Sequence, residues 1–367
     1  LELVGVTGTN GKTTVAALVA QLARGLGWNG DAIGTLTHER TTPAPPELFR
    51  AMARAASGFT PRERSVLALE VSSHALVQGR VDGLTFAVAA FTNLGHDHLD
   101  YHASLEDYFA AKASLFRPER ARRAVVWVDD PYGARLADDL TVPLTRVSLA
   151  DASSVERSWL GTTFFWRGQL VSTGLVGGYH VDNALVAMAI LSALGASDDA
   201  IARAMGSVSG VPGRFEVVHR GAVTVVVDYA HTPEGLERLL ADARELTGSG
   251  RLTVVFGCGG DRDRDKRPLM GAVASRGADE VVVTSDNPRG ESPDAIIDAV
   301  IAGADPATPL TREVDRRRAI EGALARAGAG DVVVVAGKGH ETTQIVGGAV
   351  VDFDDRVVAR ECLAARC

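Results

Sequence analysis

The chain of 367 residues has only three cysteines, Cys258, Cys362 and Cys367, odd in number and without paired spacing. Neither a disulfide framework nor a cysteine-built zinc site is supported, and a reducing cytoplasm fits best. No apolar run approaches the ~18 residues of a membrane-spanning helix, and no secretory signal precedes the first apolar stretch. An excess of basic residues is also missing. Net charge is −8, which disfavours nonspecific binding to nucleic acid or to an anionic membrane. The chain shows no internal repeat, low-complexity tract or long block of like charge. Its densest charge run, Asp261-Arg262-Asp263-Arg264-Asp265-Lys266-Arg267, alternates in sign and reads as a solvated loop. An initiator Met is lacking too: the chain begins inside what reads as its first strand, which leaves room for a preceding segment.

What is present is globular. Apolar residues make up 46% and charged residues 23%, and the length suits two domains better than one. The most informative stretch comes at once: Gly5-Val6-Thr7-Gly8-Thr9-Asn10-Gly11-Lys12-Thr13-Thr14. An apolar run enters it, and Val15, Leu18, Val19 and Leu22 leave it with helical spacing. Strand, Gly-rich turn, Lys-Thr and helix form the layout of a phosphate-binding loop. Backbone N–H groups and a helix N-terminus face an anion, the lysine reaches the outer phosphates, and a hydroxyl takes Mg²⁺. The standard pattern has a glycine where this chain has Val6.

Six further apolar runs end in polar or glycine-rich clusters. Residues 65–69 run into Glu70-Val71-Ser72-Ser73-His74, and 86–91 into Thr92-Asn93-Leu94-Gly95-His96-Asp97-His98. Residues 223–227 lead to Asp228-Tyr229-Ala230-His231-Thr232-Pro233, and 252–256 to Gly257-Cys258-Gly259-Gly260-Asp261. Residues 281–284 lead to Asp286-Asn287-Pro288-Arg289, and 332–335 to Gly337-Lys338-Gly339-His340-Glu341. Helical patterns such as 295–301 and 316–327 lie between them. Continuous β-branched runs alternating with helices predict buried parallel strands, hence an α/β fold. Ligands in such sheets gather beyond the carboxyl ends of the strands, where these clusters fall. A break over 207–213, rich in Gly, Ser and Pro, predicts domains at 1–209 and 210–367.

Phosphoryl transfer needs a nucleotide cradle, metal ions across the phosphates, and cations for the charge that develops. Thr13 and, at a strand end, Glu70 are candidate ligands of one Mg²⁺. His98 follows the next strand. Lys112, in Tyr108-Phe109-Ala110-Ala111-Lys112, reads on spacing alone as a surface helix lysine.

Together, residues 7–14, 70–76, 93–98, 228–233, 257–261, 286–289 and 337–341 resemble the Mur ligases of peptidoglycan synthesis, most nearly the branch that adds a diamino acid. The resemblance runs to Phe353-Asp354-Asp355-Arg356 near the end. It implies a P-loop ATPase domain followed by a Rossmann-like domain, and an ATP-dependent amide ligation. An acceptor carboxylate takes the γ-phosphoryl group, and an amine attacks the acyl phosphate. It implies that Gly8, Thr9, Asn10, Gly11, Lys12, Thr13 and Thr14 bind ATP, with Lys12 on the β/γ-phosphates. Thr13 and Glu70 would hold one Mg²⁺, and His98 with a carbamate on Lys112 a second. Asn183 matches an adenine-contacting asparagine; Arg214, Asp228 and His231 match residues that close over the nucleotide. Thr41, Thr42, Ser72, Gln78 and Arg80 match the grip on the muramyl-dipeptide acceptor. Arg267, Asp286, Asn287, Arg289, Gly337 and Glu341 would meet the incoming amino acid, with Arg289 on a carboxylate and Glu341 on the far ammonium of meso-diaminopimelate.

Without that resemblance Asn183 reads as a helix cap, Arg214 as a surface ion pair and Arg289 as the close of a Pro turn. The usual family enzyme also has a leading domain for the uridine nucleotide, with no counterpart in these residues. The chain is therefore expected to be either a fragment or a two-domain ligase whose acceptor lacks a UDP handle, as in natural-product or poly-amino-acid synthesis. Folylpolyglutamate synthetase shares the two-domain plan, but 70–76 and 286–289 favour the muramyl branch. A P-loop kinase or NTPase would leave Glu70, His98, Lys112 and 286–341 without a task. A non-catalytic module fits poorly with intact Lys12, Thr13, Glu70, His98 and Lys112. The expected partners are small molecules; oligomeric state is not legible.

Overall fold

The β-branched runs become strands and the periodic segments become helices in a computed structural model that describes residues 1–95, 97, 98 and 101–365. His96, Leu99, Asp100, Arg366 and Cys367 lie outside the described residues. The chain divides into two units, Leu1–Ser209 and Gly210–Cys367, so the division falls within 207–213.

The first unit opens with β1 (Glu2–Thr7), α1 (Lys12–Gly25), β2 (Asn29–Ile33), α2 (Pro45–Ser57) and β3 (Ser65–Glu70). It continues with α3 (Ser73–Val77), β4 (Val88–Phe91), α4 (Leu105–Ala113), β5 (Ala124–Trp127), α5 (Pro131–Asp139) and β6 (Leu144–Val147). Then come β7 (Ala152–Ser158), β8 (Gly161–Trp166), β9 (Gln169–Thr173), α6 (Gly178–Ala193) and α7 (Asp198–Met205). Six parallel strands form a sheet in the order β2-β3-β1-β4-β5-β6. The chain reverses its winding direction beside β1, so β1 ends at a topological switch point, where open α/β sheets bind ligands. Helix α6 is apolar nearly all round (Val181, Leu185, Met188, Ile190 and Leu191 are buried), as befits a helix packed inside a core.

The second unit contains β10 (Glu216–Arg220), β11 (Thr224–Asp228), α8 (Pro233–Thr247), β12 (Leu252–Phe256), α9 (Lys266–Gly277) and β13 (Glu280–Val283). It ends with α10 (Pro293–Ile301), β14 (Leu310–Arg312), α11 (Arg316–Arg326), β15 (Val332–Ala336), β16 (Thr343–Val346), β17 (Ala349–Asp352) and α12 (Asp355–Ala364). Its sheet order is β10-β11-β15-β12-β13-β14, parallel except for the β10–β11 edge pair. Strands β11, β12, β13 and β15 therefore end on one side of the sheet, where four of the polar clusters begin. The all-valine run of β15 is buried throughout, at the centre of the sheet. Helix α8 starts where Thr232 Oγ1 accepts from the Gly235 amide and Pro233 takes the first helical position.

Several elements depart from the sequence reading. The run 86–91 pairs as a strand only from Val88, because Phe86 turns aside into an isolated bridge with Ala121. The antiparallel sheet β7-β8-β9 and the hairpin β16-β17 are short and largely exposed, so they lack the continuous apolar runs that marked the parallel strands. Lys112 is not a surface lysine: it is 1% exposed, on the face of α4 turned to the core.

A buried ion pair ties the second unit together. Arg316 donates from Nε and Nη2 to the two oxygens of Asp355, at 2.8 and 2.7 Å, and all of it lies out of water. Removing one partner strands a buried charge, so Asp355→Asn is expected to cost about 3–5 kcal/mol. Replacing both by apolar residues should cost less. All four tryptophans (Trp28, Trp127, Trp159 and Trp166) lie in the first unit. In urea unfolding of the full chain, the variant should lower the far-UV transition more than the tryptophan-detected one.

Candidate active site

Helix α1 begins with Gly11 in a left-handed conformation (φ 84°) and no side-chain cap, which leaves its first amides open to an anion. Room for that anion depends on missing side chains. A Cβ on Gly8 would overlap Thr92 Oγ1, and one on Gly11 would overlap Asn183 Oδ1. The loop is held from the next strand's end: Asn93 Oδ1 accepts from the Asn10 amide at 2.9 Å, and Thr92 Oγ1 donates to the Asn10 carbonyl at 2.6 Å. Thr9 Oγ1 accepts from the Gly95 amide and donates to Tyr108 Oη.

Two lysines converge on one carbonyl. Lys12 Nζ donates to the oxygens of Gly8 and Thr9, at 2.9 and 2.7 Å. From α4, Lys112 Nζ donates to the same Gly8 oxygen at 2.7 Å and lies 4.3 Å from the Tyr108 ring centre. Burial, reinforced by the Lys12 charge, pulls the Lys112 amine well below the ordinary lysine range. His98 has positive φ (56°) and its Nε2 lies 3.5 Å from Asp97 Oδ2. Burial, opposed by Asp97 and helped by Lys12, brings its imidazole down to about 4, so it is neutral near pH 7.

Thr13 Oγ1 donates to Glu70 Oε2 at 2.8 Å, and Glu70 Oε1 accepts from the Thr35 amide at 2.8 Å. Gly34 has no Cβ to displace that carboxylate. Hydroxyl and carboxylate oxygens side by side at the mouth of a phosphate loop suit a hard cation such as Mg²⁺. Among the described residues no group of three or more His, Cys, Asp or Glu could hold a metal alone. The donor set thus fits a cation that takes its other ligands from phosphate and water.

The expected acceptor residues form one patch against Glu70. Thr42 Oγ1 donates to the Glu70 carbonyl at 2.8 Å and accepts from the Ser72 amide at 3.0 Å. Ser72 caps α3, and Arg80 Nη1 donates to the Thr42 carbonyl at 2.7 Å. Gln78 Oε1 accepts from Arg80 Nη2 at 2.6 Å, and Thr41 Oγ1 accepts from Thr35 at 3.3 Å. Asn183 is no helix cap: it lies inside α6, donates to the Tyr179 carbonyl at 2.9 Å and turns its oxygen towards Gly11.

In the second unit, Asp228 at the end of β11 accepts from the amides of Phe215 and Ala230, at 2.7 and 2.6 Å. Arg214 lies over the Tyr229 ring at 4.2 Å, and His231 Nδ1 is 2.9 Å from the Tyr229 carbonyl oxygen. Arg267 is paired with Glu291 at 2.8 and 3.1 Å. Those bonds and the Asp261 amide take the Glu291 carboxyl down to about 2. Arg289 (φ 52°) donates to the Gly260 carbonyl at 2.9 Å. Asp286, Asn287, Gly337 and Glu341 meet around a residue the motif reading passed over, Lys338, which is fully buried. A further Cβ on Gly337 would lie 2.6 Å from Asp286 Oδ2. The flanking glycines were the available signal for Lys338; Thr35 and Glu291 had none.

Two family models match the chain, one in each unit. The Mur ligase middle domain matches residues 6–191, and the Mur ligase glutamate ligase domain matches residues 213–339. The chain belongs to the Mur ligases. A relative from Thermosynechococcus vestitus, UDP-N-acetylmuramoyl-L-alanyl-D-glutamate–2,6-diaminopimelate ligase, is 46% identical across 100% of this chain and 77% of its own length. A solved structure of an enzyme of that name is 35% identical with a TM-score of 0.67, covering 100% of this chain and 79% of that one. Mycobacterium tuberculosis folylpolyglutamate synthase shares the fold, with a TM-score of 0.70 at 22% identity over 92% of this Mur ligase and 88% of that chain. No helix among the described residues is long and apolar enough to cross a membrane.

Two glycines separate loop chemistry from loop strain. Gly11→Ala should abolish binding of a fluorescent ATP analogue, because the new Cβ meets Asn183 and the left-handed backbone costs about 1–2 kcal/mol. Gly27 has a similar φ of 75° with open space around it, so Gly27→Ala should bind the analogue normally.

Proposed function

We propose that this Mur ligase uses Mg²⁺-ATP to activate the D-glutamyl carboxylate of UDP-muramyl-alanyl-glutamate and joins it to meso-diaminopimelate, releasing ADP and phosphate in the cytoplasm. The observation that carries this reading is the Asp286-Asn287-Pro288-Arg289 turn. It lies against Lys338 and Glu341 in a chain whose whole length matches ligases named for that amino acid.

The first unit is assigned the phosphoryl chemistry. The loop amides and Lys12 would hold the β/γ-phosphates, Thr13 and Glu70 would present oxygens to Mg²⁺, and Asn183 would read the adenine. Thr41, Thr42, Ser72, Gln78 and Arg80 would hold the acceptor so that its carboxylate reaches the γ-phosphorus. The oxygen attacks, ADP leaves, and the carbonyl carbon becomes open to an amine. The second unit is assigned the rest: Arg214, Asp228 and His231 for the nucleotide, and Arg267, Asp286, Asn287, Arg289, Gly337 and Glu341 for the amino acid. Arg289 suits a carboxylate through paired N–H donors, and Glu341 suits the distal ammonium.

Lys112 is assigned a carbamate. Its lowered pKa moves the loss of its proton to lower pH than in free lysine, so at neutral pH more of the nucleophilic amine is present. The ammonium loses one proton to give the amine, and addition of the amine to CO₂ with loss of a second proton gives the carbamate, so a cation becomes an anion. That anion would stand with His98 towards a second Mg²⁺.

The test is ADP release with Mg²⁺-ATP and meso-diaminopimelate, with the amide product confirmed by mass. Turnover is expected with UDP-muramyl-alanyl-glutamate. Turnover with the bare dipeptide and none with the UDP substrate would overturn the acceptor assignment. Stripping bicarbonate from the buffer should lower the rate of the native chain, and readdition should restore it. Lys112→Met should be slow and indifferent to bicarbonate.

A further inference from the structure

The second unit buries one lysine without exposing any of it. Lys338 stands between Gly337 (φ 112°) and Gly339 (φ 54°), and those two left-handed turns fold the segment back over the strand ends. A side chain at 339 would come within 2.7 Å of the Gly213 carbonyl oxygen, so the turn is fixed as well as permitted. The Lys338 ammonium has three N–H groups. Around it lie Glu341 Oε2 at 3.0 Å, Asn287 Oδ1 at 3.3 Å and Asp286 Oδ1 at 4.0 Å.

The orientation of Asn287 follows from its donors. Its Oδ1 takes hydrogen bonds from Lys338 and from the backbone amide of Ile345 at 3.0 Å, and neither group can accept one. Its Nδ2 is therefore the end that donates to Glu341 Oε2, at 2.9 Å. Glu341 thus has one oxygen committed to two donors from within the protein. The other oxygen belongs to a carboxylate that is 31% exposed, and it is the atom left to meet a ligand. Without Lys338, two carboxylates and one amide would face each other at a buried strand edge, and burial disfavours that arrangement. Burial drives the Asp286 carboxyl up, against the charges of Arg316 and Lys338. For Glu341, Lys338 and Asn287 overcome the same effect and the carboxyl stays below its ordinary range.

We propose that Lys338 is the positioning residue of the amino-acid site: it holds Asn287 and one oxygen of Glu341, so that the other oxygen reads the distal ammonium of the diamino acid. Lys338 itself touches no substrate. It sets selectivity for an amino acid with a second ammonium group, and it rests on the assignment of diaminopimelate to this unit.

The experiment compares kcat/KM for meso-diaminopimelate with that for 2-aminopimelate, which lacks only the distal amine, in the full chain. The native chain should prefer the diamino acid by about 10-fold or more, the scale of a charge-assisted hydrogen bond. Lys338→Met should collapse that ratio, mainly through KM for the diamino acid, with KM for ATP and for the acceptor within about twofold. Glu341→Gln should collapse it equally, and the double variant no further, because the two residues act as one unit. Lys338→Gln keeps an N–H donor without the charge and should narrow the ratio part-way, which carries the test if the Met variant does not fold. A Lys338→Met enzyme slowed equally on both amino acids overturns the proposal and makes the lysine structural only. A native chain that ligates neither amino acid overturns instead the function on which the proposal rests.

Discussion

Two ammonium groups sharing one buried carbonyl oxygen, as Lys12 and Lys112 share that of Gly8, is the constraint on which the first unit depends. Burial and the Lys12 charge both weaken the hold of Lys112 on its proton, so the arrangement calls for an anion or a lost proton. The surrounding structure supplies the means for both. Amides at the start of α1 are open, glycines at 8 and 11 leave space, and Lys112 is buried far enough that its proton is weakly held. Phosphate at the loop and a carbamate on Lys112 would each relieve the same repulsion. The cation cluster is thereby a reason for binding as well as a consequence of it.

The second unit answers a related problem with the opposite charge. Asp286 and Glu341 face a common edge, and Lys338 is buried between them. Beneath it, Arg316 donates to the carbonyls of Ser285 and Ala336, the residues that introduce Asp286 and Gly337. One buried guanidinium thus ties the ends of two parallel strands, and Asp355 balances its charge. The hairpin β16-β17 adds a third tie, as Gln344 Nε2 donates to the Asp286 carbonyl at 2.6 Å. A loop held at so many points has little freedom to lose when a ligand arrives, which is what preorganisation means in energetic terms.

Legibility in the sequence followed the physics of each signal. The phosphate loop could be read because anion binding imposes glycines, a lysine and a hydroxyl at fixed offsets within ten residues. The parallel strands could be read because burial on both faces produces runs such as Val332 to Val335. Lys112 could not, since helical spacing records which face a residue occupies but not what that face packs against, and here it packs against the loop. Asn183 was misread in isolation for the same reason. Its setting, Gly11, is far away in sequence. The exposed strands β7, β9 and β17 left no apolar pattern to find.

Why the chemistry gathers at strand ends follows from burial alone. Strands β1, β3, β4, β11, β12, β13 and β15 are covered on both faces, so a polar side chain within them would need a partner inside the core. At the last paired residue or just past it, the backbone can turn outward and carry a polar group that still lies beside the sheet. Glu70 and Asp228 are the last paired residues of β3 and β11, and Asp286 follows shortly after the end of β13 at Val283. Each is buried, and each is held by hydrogen bonds or a nearby cation. A carboxylate placed earlier in such a strand would be an unpaired charge in the core. The fold therefore narrows where an acid can be both desolvated and reachable to the last residue of a strand and the turn that follows it, and this chain puts acids there on three strands.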